Sequence, residues 1–394
     1  MENYSIKRYS NIAVLIIILL ASLDLFRAYL EIELVNSIFA LKELVLLVLF
    51  IHLCRKKNIK ISNSILIVFI FSIFYCGINV VNQGSFILYF VFLKYLIVYY
   101  ITYIVFDNSN LAVLQKAVNL LVCIFFIYSL ISYVRLFLFS DSLFRSGRIS
   151  GDANPSFLSY IYLLCFLYAF TKNKIFIATW FAIAGFLTLT KTYFVALVII
   201  ALCLIVFSSH RMKVLFISFI MTVVFAYVVT LNDDIFIAFD KALTVLLYKD
   251  NNEYNSFEDR ISRISTFREE NTGNFISGYG TGKASSASVF VDEKLGVKID
   301  STIDFENQML NFYYSLGVLG LFMMYYPFGS KAWIIFNTPK GSAKYFFFLF
   351  LIAFGLYNMT LNILESYTTC IISLLFLFVF EKEFRKNNED NTSK

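Results

Sequence analysis

FENQMLNFYYSLGVLGLF, Phe305–Phe322, opens with a carboxylate and an amide and then turns almost wholly apolar. Gly317 and Gly320 interrupt it about one helical turn apart. The run after Asn307 is long enough to enter a hydrocarbon core. A charge at that boundary is easily solvated, so Glu306 alone assigns nothing.

Runs of the same kind recur from end to end. The chain has 394 residues, 59% of them hydrophobic and only 15% charged, too few charges to cover a soluble surface of that size. Each run of roughly 17–25 apolar residues can cross a bilayer as a helix. We place about twelve spans, at roughly 11–27, 35–54, 62–82, 86–106, 112–138, 155–171, 175–190, 192–209, 213–231, 306–328, 343–359 and 366–381. The expected fold is an all-α polytopic integral membrane protein, with 1–394 as one membrane domain. Lys7 and Arg8 precede the first run as in a signal peptide, but SLDLFRAYLEIE lacks a small-residue cleavage site, which predicts an uncleaved first span.

Basic residues set the sidedness. Lys7/Arg8, Arg55/Lys56/Lys57/Lys60, Lys172/Lys174, Arg211/Lys213, Lys331/Lys340/Lys344 and Lys382/Arg385/Lys386 all fall on one side of this alternation. The positive-inside rule makes that side the cytoplasm, with both termini in it. The net charge of +6 thus concerns topology and lipid head groups and implies no nucleic acid. The six cysteines lie in or beside apolar runs and form no CxxC pair, so neither a disulfide framework nor a zinc site is expected.

Two outer connections stand out. Residues 139–154, FSDSLFRSGRISGDAN, are polar and contain glycine; residues 232–304 form the one large loop, a length that implies function or disorder. Within it Ile235, Phe239, Ala242 and Leu246 recur at helical spacing, as on a helix lying at the membrane surface. Ser256-x-x-Asp259 is a capping-box pattern for a helix carrying Arg260 and Arg263 on one face, and SGYGTGKASSAS follows as a glycine- and serine-rich loop.

Basic groups dominate this outer face around the two loops: Arg145, Arg148, Lys191, Arg260, Arg263, Arg268 and Lys283. Clustered guanidinium groups suit a diphosphate, whose oxygens they grip through paired hydrogen bonds; solvation and pairing with Glu258, Glu269 and Glu270 is the plainer alternative. Lys191 lies where the chain reverses between two spans with almost no loop, so it snorkels or meets an anion. Lys94, Lys42 and Glu43 lie deeper and are expected to make interior polar contacts. No HExxH or GxSxG occurs. Glu306, Asp24, Glu31 and Glu33 are the candidates for an outer-face base.

Four motifs together resemble the O-antigen ligase and O-antigen polymerase (WaaL/Wzy) superfamily. The ligase pattern has His, then Asn/Ser/Gln, nine residues, Gly, two residues and Gly. Glu306-Asn307, nine residues, Gly317, two residues and Gly320 reproduce that spacing with Glu in place of His. Arg145-Ser-Gly-Arg148-Ile-Ser-Gly151-Asp-Ala-Asn154-Pro155 resembles the family's arginine, glycine and Asn-Pro run, and LTLTKT its Thr-x-Ser-Arg turn with Lys191 as the cation. Arg260 followed by Gly278-Tyr-Gly280 is similar to its arginine helix and Gly-x-Gly loop. The substitution of His by Glu favours the polymerase branch.

The resemblance implies a GT-C-like glycosyltransferase of the bacterial inner membrane with 139–154 and 232–304 in the periplasm. Its substrates would be undecaprenyl-diphosphate-linked oligosaccharides, as donor and as acceptor. Arg145, Arg148, Lys191, Arg260 and Arg263 would hold the diphosphate, Glu306 would be the base, and Asn154, Asn307, Gly278 and Gly280 would support them. No metal or cofactor is implied; a chain-length regulator and a flippase are the implied protein partners. Ligation of finished polymer to lipid A core, flipping of a lipid-linked oligosaccharide and metal-dependent transfer through Asp24, Glu31 and Glu33 are the competing readings.

Overall fold

The computed structural model describes residues 12–22, 44–52, 54–55, 61–83, 86–138, 144–145, 148–149, 155–188, 190–207, 212–220, 223, 275–284, 307–337 and 342–392. Its helices are α1 (Ile12–Ser22), α2 (Asn63–Gln83), α3 (Phe86–Asn108), α4 (Leu111–Leu138), α5 (Pro155–Thr171), α6 (Ile175–Leu187), α7 (Lys191–Phe207), α8 (Gln308–Phe336), α9 (Ser342–Asn358) and α10 (Tyr367–Thr392). Helical residues also occur at 44–52 and 212–220. Segments Asn63–Val80, Phe86–Asn108 and Leu111–Val134 are long and apolar enough to cross a membrane, and α1, α5, α6, α7 and Lys344–Asn358 are shorter apolar helices. The protein is an all-α polytopic membrane protein, as its composition predicts. Strand structure among the described residues is one two-residue antiparallel pairing, β1 (Phe144–Arg145) with β2 (Arg148–Ile149).

Two helices outrun their apolar stretches. α8 continues to Phe336 rather than 328, and α10 to Thr392 rather than 381. Lysine, glutamate and arginine end a hydrophobic run without ending a helix, because their straight chains lose little freedom in one.

The chain forms two compact units, one of Met1–Val118, Ser256–Lys344 and Asn358–Lys394, the other of Asn119–Asn255 and Tyr345–Tyr357. In the first, α3 is buried continuously from Val98 to Phe106, and its Tyr103 and Phe106 rings meet Phe378 of α10 at 4.8 and 6.5 Å. Pro327 sits inside α8, where it has no N–H for the carbonyl four residues earlier. That carbonyl, Met323 O, accepts instead from the Tyr100 hydroxyl at 2.7 Å, and Met324 O from Tyr99 at 2.6 Å. Farther along, Lys331 is buried and pairs with Asp107 at 2.6 Å. Lys382 donates to the carbonyls of Phe106, Asp107 and Ser109, a cation on the electronegative C-terminal end of α3. Burial pushes the Lys382 ammonium down to about 8, against the opposing pull of Asp107 and Glu381.

In the second unit, α5 ends on Asn173 in the left-handed region, φ 56°. Lys174 N–H reaches Ala169 O and Asn173 N–H reaches Phe170 O, the paired bonds of a Schellman ending. α6 ends at Leu187 and α7 begins at Lys191, the near-loopless reversal expected around Lys191. Tyr193 returns across it, donating to the Phe181 and Ala182 carbonyls at 3.2 and 3.1 Å.

A candidate site at the start of helix α8

α8 begins at a built cap. Asn307 is extended (φ −140°, ψ 110°), and its side-chain oxygen accepts the Leu310 N–H at 3.1 Å, satisfying one of the free amides of the first turn. Ten residues on, Gly317 breaks the helix with φ 64° and ψ −162°. A break there frees carbonyls and amides that need other partners.

Residues 275–284 supply them. Tyr279 N–H donates to Tyr314 O at 2.7 Å and Gly280 N–H to Ser315 O at 3.0 Å, while Val318 N–H donates to Phe275 O at 3.1 Å. Ala284 N–H donates to the Ser315 hydroxyl at 2.9 Å, and the Tyr279 ring stacks on Tyr314 at 4.6 Å. α2 closes the third side. Tyr75 donates to Ile276 O and Leu316 O at 3.2 and 3.0 Å, and Asn79 to Ser277 O and Ser315 O at 2.6 and 3.2 Å. Thr281 hooks Cys76 O at 2.8 Å.

Both key glycines are required by this contact. A Cβ on Gly317 would lie 2.2 Å from Ile276 O, and one on Gly278 2.5 Å from Leu316 N; both residues have positive φ. Backbone passes against backbone here, so neither neighbour can yield as a side-chain tip would.

The start of α8 is also held by polar side chains that the motif did not include. Gln308 Oε1 accepts Leu364 N–H at 2.9 Å, and its Nε2 donates to Glu365 Oε1 at 3.2 Å. Asn311 Nδ2 donates to Asn362 Oδ1 at 2.9 Å, and Tyr325 to Asn358 Oδ1 at 3.0 Å. Gln308, Glu365, Asn311 and Asn362 are all buried. Their signal in the sequence is the set Asn358, Asn362 and Glu365 at spacings of four and three where two spans meet; once buried, such polar groups are costly unless they find partners.

The structure therefore joins Gly278, Gly280 and Gly317 into one clasp and makes Asn307 the cap of α8. Arg145 and Arg148 face each other as backbone partners across the β1–β2 pairing. Lys191 is the first residue of α7. Glu306, Arg260, Arg263 and Asn154 lie outside the described residues, as do Asp24, Glu31, Glu33, Lys42 and Glu43. Lys94 is exposed on α3. Among the described residues no three of His, Cys, Asp and Glu stand together as metal ligands.

The Wzy_C family model, described as O-antigen ligase, matches residues 176–325. That range contains Lys191, Arg260, Arg263, the Gly278–Gly280 loop and the start and break of α8, and it begins after Arg145–Pro155. No curated protein matches the chain. Over residues 176–325, less than half of its length, this membrane protein is similar to the O-antigen ligase/polymerase superfamily.

Proposed function

We propose that this chain polymerises undecaprenyl-diphosphate-linked repeat units of O-antigen or a related surface polysaccharide on the periplasmic face of the bacterial inner membrane. The reading is carried by the clasp at α8: the Gly278–Gly280 and Gly317 motifs, far apart in sequence, are one hydrogen-bonded body at the helix that Glu306 and Asn307 introduce. The carboxylate at 306, where the ligase pattern has His, supports polymerisation over ligation.

The reaction is an inverting displacement. The acceptor hydroxyl oxygen bonds to the anomeric carbon of the nascent chain as the bond to the diphosphate breaks. The electron pair leaves with undecaprenyl diphosphate, and Glu306 takes the hydroxyl proton, a contribution of about 10²–10⁴-fold. Arg145, Arg148, Lys191, Arg260 and Arg263 hold the growing charge of the leaving group, the work such cations do without a metal. Asn154 supports this set, and Asn307 with Gly278 and Gly280 fixes the backbone next to Glu306. Both termini lie in the cytoplasm, a flippase supplies the substrate, and a chain-length regulator sets the product.

The family description favours one other reading, ligation of finished polymer to lipid A core. Deletion of the gene separates the two. Lipopolysaccharide carrying a single repeat on its core is the expected result, with ladders restored by the wild-type gene but not by Glu306→Gln. Bare core identifies a ligase, and an unchanged ladder removes both readings.

A further inference from the structure

Gln308 is fully buried and both ends of its amide are engaged. Its oxygen faces the Leu364 and Glu365 N–H groups at 2.9 and 3.4 Å. That geometry fixes which end is oxygen, and so turns Nε2 toward the Glu365 carboxylate. Glu365 is 4% exposed. A carboxylate that deep costs several kcal/mol unless hydrogen bonds or charges compensate it, roughly the scale on which a single residue can decide whether a helix end is held. Asn311–Asn362 repeats the arrangement one turn on, and Tyr325–Asn358 repeats it farther down. These rungs run antiparallel, 308, 311 and 325 against 365, 362 and 358. The first two tie the start of α8 to Asn362 and Glu365.

Gln308 follows Asn307, the cap of α8, and is two residues from Glu306 in sequence, so whatever fixes Gln308 fixes the first turn of α8. We propose that Glu365 is a positioning residue for glycosyl transfer, acting through Gln308 on the first turn of α8. The inference rests on the transferase reading of that turn, and no substrate contact is assigned to Glu365 itself. Misplacement of a reacting group by about 1 Å costs on the order of 100-fold, which sets the size of the expected effect.

The test uses the purified full-length protein in liposomes, with undecaprenyl-diphosphate-linked repeat units as substrate and rates expressed per monodisperse molecule. Glu365→Leu removes the acceptor of Gln308 Nε2 and is expected to lower kcat about 10–100-fold with KM within about twofold. Glu365→Gln keeps an acceptor oxygen and is expected to retain at least about half of wild-type kcat. The double exchange Gln308→Glu/Glu365→Gln keeps a donor facing an acceptor and moves the charge across the rung; it too is expected to turn over, and it decides the matter should Glu365→Leu fail to fold. Wild-type kcat in Glu365→Leu overturns the proposal. So does a Glu365→Gln variant, or a double exchange, as slow as Glu365→Leu, since charge rather than the rung would then be what matters. If the wild-type protein only transfers chains to lipid A core, the polymerase reading fails, and the same ratios measured in that transfer still judge Glu365.

Discussion

At Gly317 the requirement is conformational before it is steric. Its φ of 64° with ψ of −162° lies in a region almost confined to glycine, where another residue costs about 1–3 kcal/mol, and a Cβ there would also lie 2.2 Å from Ile276 O. A Cβ on Gly329, in the same helix, would meet nothing within 4 Å, and alanine is the better helix former by about 1 kcal/mol. Gly317→Ala is therefore expected to abolish polymer ladders and to lower the unfolding midpoint in detergent, while Gly329→Ala leaves ladders intact and the midpoint equal or higher. Equal behaviour of the two variants would contradict the clasp. The spacing of Gly317 and Gly320 is visible in the sequence, but close helix approach is the reading it invites. Positive φ leaves no mark in a residue pattern, so the break of α8 was hidden until its backbone was seen. Glu365 was hidden differently: its partner Gln308 is distant in sequence, and neither residue stands out alone.

Among elements, α2 shows how a span can do more than cross. Its apolar length was legible, and the helix occupies 63–83 where 62–82 is expected. The role of Tyr75 and Asn79 was not, because their partners are backbone carbonyls of a loop and of a broken helix, and carbonyls carry no sequence signature. Each hydrogen bond contributes about 0.5–1.5 kcal/mol net, and a buried carbonyl left without one costs about 1–3 kcal/mol. Tyr75→Phe with Asn79→Leu should release 275–284 from α8 while α2 and α3 stay folded. Hydrogen exchange of the Tyr279 and Gly280 amides reports this directly, with at least about 10-fold faster exchange expected in the double variant. Unchanged protection would mean that the loop docks without α2. The same physics explains Tyr100 on the carbonyl left by Pro327: proline announced a defect in α8, while the helix that repairs it could not be named from sequence.

For the whole molecule, composition and span length carry most of the fold class, since few charges and repeated apolar runs admit little else. Charge position is less transparent. Lys331 counts toward the positive side of the membrane in sequence, yet the folded chain buries it beside Asp107 and over the Phe378 ring at 4.8 Å, so part of the topogenic signal is also internal structure. The proposed chemistry is likewise a property of the whole: a lipid diphosphate leaves, a sugar hydroxyl enters, and no lipid A core is needed. Purified protein in liposomes, given only undecaprenyl-diphosphate-linked repeat units and excess chelator, tests this most directly. The account predicts products of two, three and more repeats on one carrier, with one undecaprenyl diphosphate released for each linkage. Repeat units that stay single until lipid A core is added, and then move onto it, would contradict the account.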